Sequence, residues 1–302
     1  MISVEHCPVC KGTDLRPFAM NRWSQQALHF AQARCEDCHV LIAQPQASDE
    51  ELDRYYLNVY YQQKWPDPDA IWKYNPLAYG RYELPLMRKM WSTWPPPDSA
   101  ETVEIGCGYG VMLEMLQNLG YKARGADPSA RAIDYCHSRG LSAMIGKSPG
   151  LPWSPASFDL ALALQVIEHM QDPLAFVHEL VSLVKPGGVI VIATENAATS
   201  QYFAERVSAR IRGRIPSFQT SSDHTFVFRA EHLKKMLLDA GCDEARTESY
   251  SYVPEHESLH WKAYKGFFRS IDRIRGHGEF LLAVGHRAVG DHVEDNDTYS
   301  WR

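Results

Sequence analysis

The sequence predicts an α/β fold, a doubly wound and mostly parallel sheet of seven strands with a small cysteine-bearing module ahead of it. Three observations predict it. The apolar run Val103-Glu104-Ile105 opens directly into Gly106-Cys107-Gly108-Tyr109-Gly110, and a second short strand ends about twenty residues on at Asp127. From there strand-like runs alternate with helical patterns, the alternation that builds a parallel sheet covered on both faces. Upstream, Cys7-Pro8-Val9-Cys10 and Cys35-Glu36-Asp37-Cys38 hold four of the seven cysteines in two pairs.

Taken in order, the paired cysteines fit a zinc ribbon over residues 1–45, because a two-residue gap lets each pair bind from one tight turn. Four thiolates from Cys7, Cys10, Cys35 and Cys38 close the site to water and substrate. Zinc there is expected to stabilise a small domain and to take no part in chemistry. Cys107, Cys136 and Cys242 stand alone and read as packing residues. Ser48-Asp49-Glu50-Glu51 has the cap and first-turn carboxylates of a helix start. Residues 46–97 form a helical linker or cap dense in tyrosine and tryptophan, some of which could cover a cleft, and Pro95-Pro96-Pro97 ends it. Strands are expected at 101–105, 123–127, 143–146, 158–164, 189–193, 244–252 and 280–286. Insertions near 202–223 and 254–278 interrupt the pattern of the 98–290 domain close to the cleft mouth, and 291–302 read as a disordered tail.

Glycines at 106, 108 and 110 let a backbone approach its ligand, and the N–H groups opening the next helix favour an electron-rich group. A carboxylate at the end of the following strand can accept both hydroxyls of a ribose. Three segments downstream narrow the reading: Leu151-Pro152-Trp153, then Phe158-Asp159-Leu160 through Gln165-Val166-Ile167-Glu168-His169 to Asp172-Pro173, then Leu183-Val184-Lys185-Pro186-Gly187-Gly188. In this order the segments resemble the Rossmann-like class I S-adenosylmethionine-dependent methyltransferases of the small-molecule type, over roughly residues 100 to 288. The resemblance implies that the last strand, 280–286, is an antiparallel edge strand, and it implies S-adenosylmethionine as cofactor. Gly106, Cys107, Gly108 and Gly110 would pass under its methionine part and ribose. Glu104 would orient the ammonium, Asp127 with Pro128 would hold the ribose, and Gln165 would line the methyl-donor end. Where relatives carry an acidic residue for the adenine amino group this chain has Lys147-Ser148, which leaves the Ser148 backbone for that task.

Methylation of an alcohol needs a base as well as alignment. Asp223-His224-Thr225-Phe226-Val227-Phe228 resembles the Glu-His-x-x-x-Phe stretch of bacterial sugar methyltransferases that also carry a four-cysteine module, with Asp in place of Glu. Asp223 and His224 are therefore the leading catalytic candidates, and His169 beside Glu168 is the other. Glu195-Asn196 could meet a polar substrate or cap a helix. Arg206, Arg210, Arg212 and Arg214 could clamp a phosphate-bearing acceptor or form a solvated face. The expected partner is a small polar acceptor, most simply a sugar hydroxyl or a nucleotide sugar, in glycoconjugate or secondary-metabolite synthesis. A ribosomal RNA base methyltransferase with an RNA-holding ribbon is the first rival, and the net charge of −6 argues against a polyanion. A non-catalytic scaffold that binds protein through the zinc module is the second, and the intact glycines and Asp127 argue against it. With no apolar run long enough for a bilayer span and no leader pattern at the first residues, a cytoplasmic protein is expected.

Overall fold

The computed structural model describes residues 1–20, 31–93, 95–213, 223–251, 259–275 and 277–290. Three short antiparallel strands open the chain, β1 (Leu15–Met20), β2 (Ala31–Cys35) and β3 (Leu41–Ala43). Helix α1 (Asp49–Tyr55) starts at the predicted cap, where Ser48 Oγ accepts from Glu51 N and Glu51 Oε2 accepts from Ser48 N. The helix widens into looser turns over Tyr56–Lys64, then come α2 (Pro68–Ala78), a second wide turn at Tyr79–Glu83, and α3 (Leu84–Met90). Wide turns displace side chains from the regular helical stripe and are frequent beside functional sites.

The large sheet takes its strands in the predicted places: β4 (Glu101–Ile105), β5 (Lys122–Asp127), β6 (Ser142–Ile145), β7 (Phe158–Leu164) and β8 (Val184–Glu195). Helices α4 (Val111–Asn118), α5 (Ala130–Ser138), α6 (Pro173–Leu183) and α7 (Ser200–Ile211) link or follow them. The two-residue strand β9 (Phe226–Val227) precedes α8 (Ala230–Asp239), β10 (Cys242–Tyr250), α9 (Leu259–Arg275) and β11 (Phe280–Arg287). Spatial order is β10-β11-β8-β7-β4-β5-β6, with β11 antiparallel to both neighbours and the others parallel in their pairs. The last strand is thus antiparallel as expected, one place in from the edge that β10 occupies. Strand β8 begins five residues earlier than the apolar pattern suggests, because Gly187 at φ +80° lets Lys185-Pro186-Gly187-Gly188 stay beside β7 as a bulge.

Both faces of this sheet are covered. Along β7, Leu160 and Leu162 join the core that includes Met112, Leu113 and Met87, while Ala161 and Ala163 join the core formed with Phe176, Leu180 and Leu237 of α6 and α8. An unbroken apolar run is what such a doubly buried strand requires. The cysteine module is not set apart from this body. Leu41 and Ile42 of β3 pair with Val227 and Phe226 of β9, Ala43 N donates to Thr225 O at 2.7 Å, and Cys7, Val40 and Ile42 share the core with Phe226 and Phe228. Sequence reading put a domain boundary near residue 45, and pairing across about 180 residues joins the two sides of it. Of the predicted insertions, 214–222, 254–258 and 276 lie outside the described residues, as does the tail at 291–302.

Candidate active site

The site lies at the carboxyl ends of β4, β5, β7 and β8, where an open α/β sheet leaves a crevice. Two adjoining cavities fill it, of about 290 and 360 Å³, and Tyr60, Tyr61, Gly106, Gln165 and His169 line both. Gly106 has φ +72° and an added Cβ would stand 2.4 Å from Val166 Cγ2, so no other residue fits the first position of the loop. Gly108 N donates to Asp127 Oδ2 at 3.0 Å, fixing the loop against β5.

Asp127 is buried beneath Tyr61, whose hydroxyl donates to Oδ2 at 2.8 Å, while Ser129 N donates to Oδ1 at 2.9 Å. Burial raises its pKa, and these donors oppose the rise. The Tyr61 phenol therefore occupies a donor position that the sequence reading gives to a ribose hydroxyl. Glu104 is buried with Oε2 unpartnered, and burial holds its carboxyl well above the usual range. A buried orphan carboxylate facing a cavity calls for a cation, and the ammonium assigned to this position supplies one. Gln165 sits at φ +58° with Nε2 unpartnered, the backbone strain of a non-glycine residue held in place at a ligand site. Cys107 faces the larger cavity, and Pro128 and Ser148 the smaller one. Ser148 Oγ bonds Glu179, which also accepts from Gly150 N and Leu151 N and so shapes the loop. Lys147 pairs with Asp53 of α1, 2.7 Å from Nζ, and Lys147, Asp49 and Asp53 all line the smaller cavity. Carboxylates are thus present at this end, brought by α1 rather than by the strand where relatives carry theirs. These residues fit the nucleoside and methionine parts of the predicted cofactor.

The predicted catalytic residues come together, with different pairing. His224 Nδ1 lies 3.2 Å from Glu195 Oε2 without hydrogen-bond alignment, not against its chain neighbour Asp223. Asp223 is fully buried behind His169, whose Nδ1 lies 3.1 Å from the Asp223 carbonyl oxygen and 3.8 Å from its carboxylate. A carbonyl only accepts, so Nδ1 carries the proton in the neutral ring and Nε2 is its basic atom. The two imidazoles meet edge to face at 4.8 Å, and Tyr56 and Tyr60 close on His169. Glu168 completes the cluster: Thr194 Oγ1 donates to Oε2 at 2.8 Å, and Oε1 is unpartnered. Ligand atoms of Glu168, His169 and His224 lie within 4.8 Å of one another. Burial opposes charge on His224, but Glu195, Glu168 and Asp223 outweigh it and raise the imidazole to about 9. Burial lifts Glu168 to about 7, with His224 pulling the other way.

Several residues are placed elsewhere. Asn196 caps a turn, its Oδ1 accepting from Ala198 N at 2.9 Å and its Nδ2 donating to Gly278 O at 2.8 Å. Arg206 lies over Phe18 of β1 at 5.2 Å and Arg210 lines the same peripheral hollow, while Arg214 is outside the described residues. Sequence reasoning missed Tyr61 as the partner of Asp127, Glu195 as the partner of His224, and Glu83 altogether. The crowding of tyrosines in residues 55–61 was the available signal for the first of these.

The four paired cysteines converge as predicted. Cys7 and Cys38 Sγ are 3.7 Å apart, Cys10 and Cys35 Sγ 3.4 Å, and all four lie within 4.8 Å. Zinc with thiolates at about 2.3 Å has tetrahedral edges of about 3.8 Å, so the thiols fit that ion.

Residues 78–245 match the family model described as a methyltransferase domain. The ubiquinone biosynthesis O-methyltransferase of Methylococcus capsulatus is 29% identical over 167 residues, 53% of this chain and 70% of the relative. That of Thiobacillus denitrificans is 26% identical over 199 residues, 63% of this chain and 83% of the relative. Among solved structures, a SAM-dependent methyltransferase from Thermotoga maritima superposes with a TM-score of 0.47 at 20% identity, over 66% of this chain and 86% of the other. One from Mesorhizobium loti gives 0.48 at 17% identity, over 68% and 97%. With the matched model spanning more than half of its length, the chain belongs to the methyltransferase domain family, and it is an S-adenosylmethionine-dependent methyltransferase.

Proposed function

We propose that the chain transfers the methyl group to a hydroxyl of a small polar acceptor. The observation that carries this reading is the cluster of buried Glu168, His169 and His224 with half-buried Glu195, which lines one cavity with Gln165 and Leu164 at the strand ends. S-adenosylmethionine supplies an electrophilic methyl group on a sulfonium. The protein has to hold the acceptor oxygen in line with it and receive the hydroxyl proton. Neutral His224 can take that proton through its ring nitrogen. Glu195 stabilises the imidazolium so formed, and Asp223 orients His169 beside it. A concave cleft of about 360 Å³ suits a small molecule better than a base within a folded RNA.

A sugar hydroxyl is the acceptor that the Asp223-His224 stretch supports, and a phenolic hydroxyl is the one that the relatives' names support. Methyl transfer from labelled cofactor to nucleotide sugars and to dihydroxybenzenes separates the two. In either case His224→Asn is expected to lower turnover by about 10²–10⁴-fold with cofactor affinity nearly unchanged. Near-normal turnover in that variant would remove His224 from the chemistry. The mutual approach of Glu168, His169 and His224 favours one second reading, in which a divalent cation activates the acceptor oxygen. Turnover that vanishes with a chelator and returns with added magnesium or manganese would select it. Zinc on Cys7, Cys10, Cys35 and Cys38 is the further assignment, supported by their convergence and burial.

A further inference from the structure

We propose that Glu83 and Glu104 together clamp the ammonium group at the methionine end of the cofactor, with Glu83 as a second cation-binding residue that the glycine motif does not mark. The inference rests on the cofactor and not on the acceptor proposed above. Glu83 ends the wide turn before α3, and its side chain is 5% exposed. Oε1 accepts from Tyr250 Oη of the edge strand β10 at 2.5 Å, and Oε2 has no partner. Glu104, 4% exposed at the end of β4, likewise presents an unpartnered Oε2. Both line the larger cavity beside Gly106 and Gly108.

Carboxyls outnumber cationic groups in that cavity, where His224 is the one lining group raised toward its charged form, and it stands at the Glu195 end. Glu83, Glu104, Glu168 and Glu195 line it, and among its described lining residues there is neither lysine nor arginine. The carboxylates fall into two electrostatic groups. Glu104 feels Asp127 and Glu83, whereas Glu168 feels His224 and Glu195. Glu83 therefore belongs with the cofactor end of the site and not with the proton-handling end. Two neighbouring buried carboxyls resist ionising together unless a cation arrives. Burial lifts Glu83 to about 7 and holds Glu104 well above the usual carboxyl range, the condition of a site lacking its counter-ion. The alternative role for Glu83 is to pin β10 through Tyr250, with no contact to any ligand.

Titration calorimetry on the full chain distinguishes the two, with S-adenosylhomocysteine, which carries the ammonium, against 5′-methylthioadenosine, which lacks the amino-acid part. Glu83→Gln is expected to weaken S-adenosylhomocysteine about ten- to a hundredfold and leave methylthioadenosine unchanged. Tyr250→Phe, which removes the pin and keeps the carboxylate, is expected to retain the preference for S-adenosylhomocysteine. Equal loss for both ligands in Glu83→Gln, or no loss, would overturn the proposal. The unmodified protein gives a test that does not depend on a variant folding. Around Glu83 stand Tyr250 and Glu104, and around Glu104 stand Asp127 and Cys136. Asp127 serves both ligands through the ribose, so protons released by S-adenosylhomocysteine in excess of those released by methylthioadenosine report the clamp. Affinity for S-adenosylhomocysteine should rise between pH 6 and 8 while that of methylthioadenosine changes less, and identical pH responses would refute it.

Discussion

Asp127 is buried, bonded and raised in pKa at once, so its strength as a ribose acceptor depends on exchanging one good partner for another. Asp127→Ala is expected to weaken S-adenosylhomocysteine by about 1.5–3 kcal/mol, roughly ten- to a hundredfold in calorimetry. The base can be read from pH. A base acts only when deprotonated, so if neutral His224 is required, kcat/KM keeps rising until pH passes about 9 and flattens beyond it. If Glu168 is the base instead, the rise is complete above about 7. His224→Asn should erase the upper limb in the first case only. A bound sulfonium disfavours further positive charge nearby, so the corresponding limb in kcat should fall at lower pH than that in kcat/KM. Whether a residue of the site could be read from sequence depends on how it is placed. Gly106, Glu104 and Asp127 are set by one strand, one turn and the next strand, so their order in the chain is their order in space. Glu195 meeting His224, and Asp223 meeting His169, depend on how segments remote in sequence pack. Adjacency in the chain does not reveal these contacts.

At the scale of elements, the wide turns over Tyr56–Lys64 carry the second half of the site. Tyr60 and Tyr61 line both cavities, and Tyr61 also stacks edge to face on Tyr109 of the glycine loop at 5.3 Å. With Asp127 proposed as the ribose acceptor, this segment would compete with the cofactor for it. Tyr61→Phe is expected to strengthen S-adenosylhomocysteine binding by about 1 kcal/mol, roughly fivefold, because the free protein loses a hydrogen bond that the complex must otherwise break. Weaker binding in this variant would mean that the phenol stays and contacts the ligand. The sheet strands were legible because each is an apolar run bounded by turns, and doubly buried strands need nothing subtler. The wide turns were not, since helical periodicity is written for 3.6 residues per turn and these depart from it. Strand β9 was illegible too. Two residues make no pattern, and its partner is β3, far upstream.

Across the whole molecule, the cysteine module and the cluster proposed as catalytic are linked through that strand. Thr225, whose carbonyl accepts from Ala43, also donates its N–H to Glu168 O at 2.7 Å, and His232 Nε2 lies 2.7 Å from Cys38 O. One zinc per chain is expected by metal analysis, and it should persist in Gly106→Asp after cofactor binding is lost. Cys35→Ser is expected to release the metal, lower the melting midpoint and reduce turnover at saturating cofactor. Intact turnover in a zinc-free variant would show that β9 keeps its place without the module. Net charge and composition said nothing of this link, which is a property of topology.

The pairing of β3 with β9 also has a consequence during synthesis. When Ala43 leaves the ribosome, the strand that will cover it has not been made, and about 180 further residues must follow. At ~5–20 residues per second that is an interval of about 10–40 s. Throughout it Leu41 and Ile42 present an apolar strand edge with open hydrogen-bonding groups, the kind of surface that captures other chains. A polysome producing this enzyme would carry many such edges side by side, so its yield in a cell should respond more to translation speed and to chaperones that shield nascent strands than the stability of the finished protein would suggest.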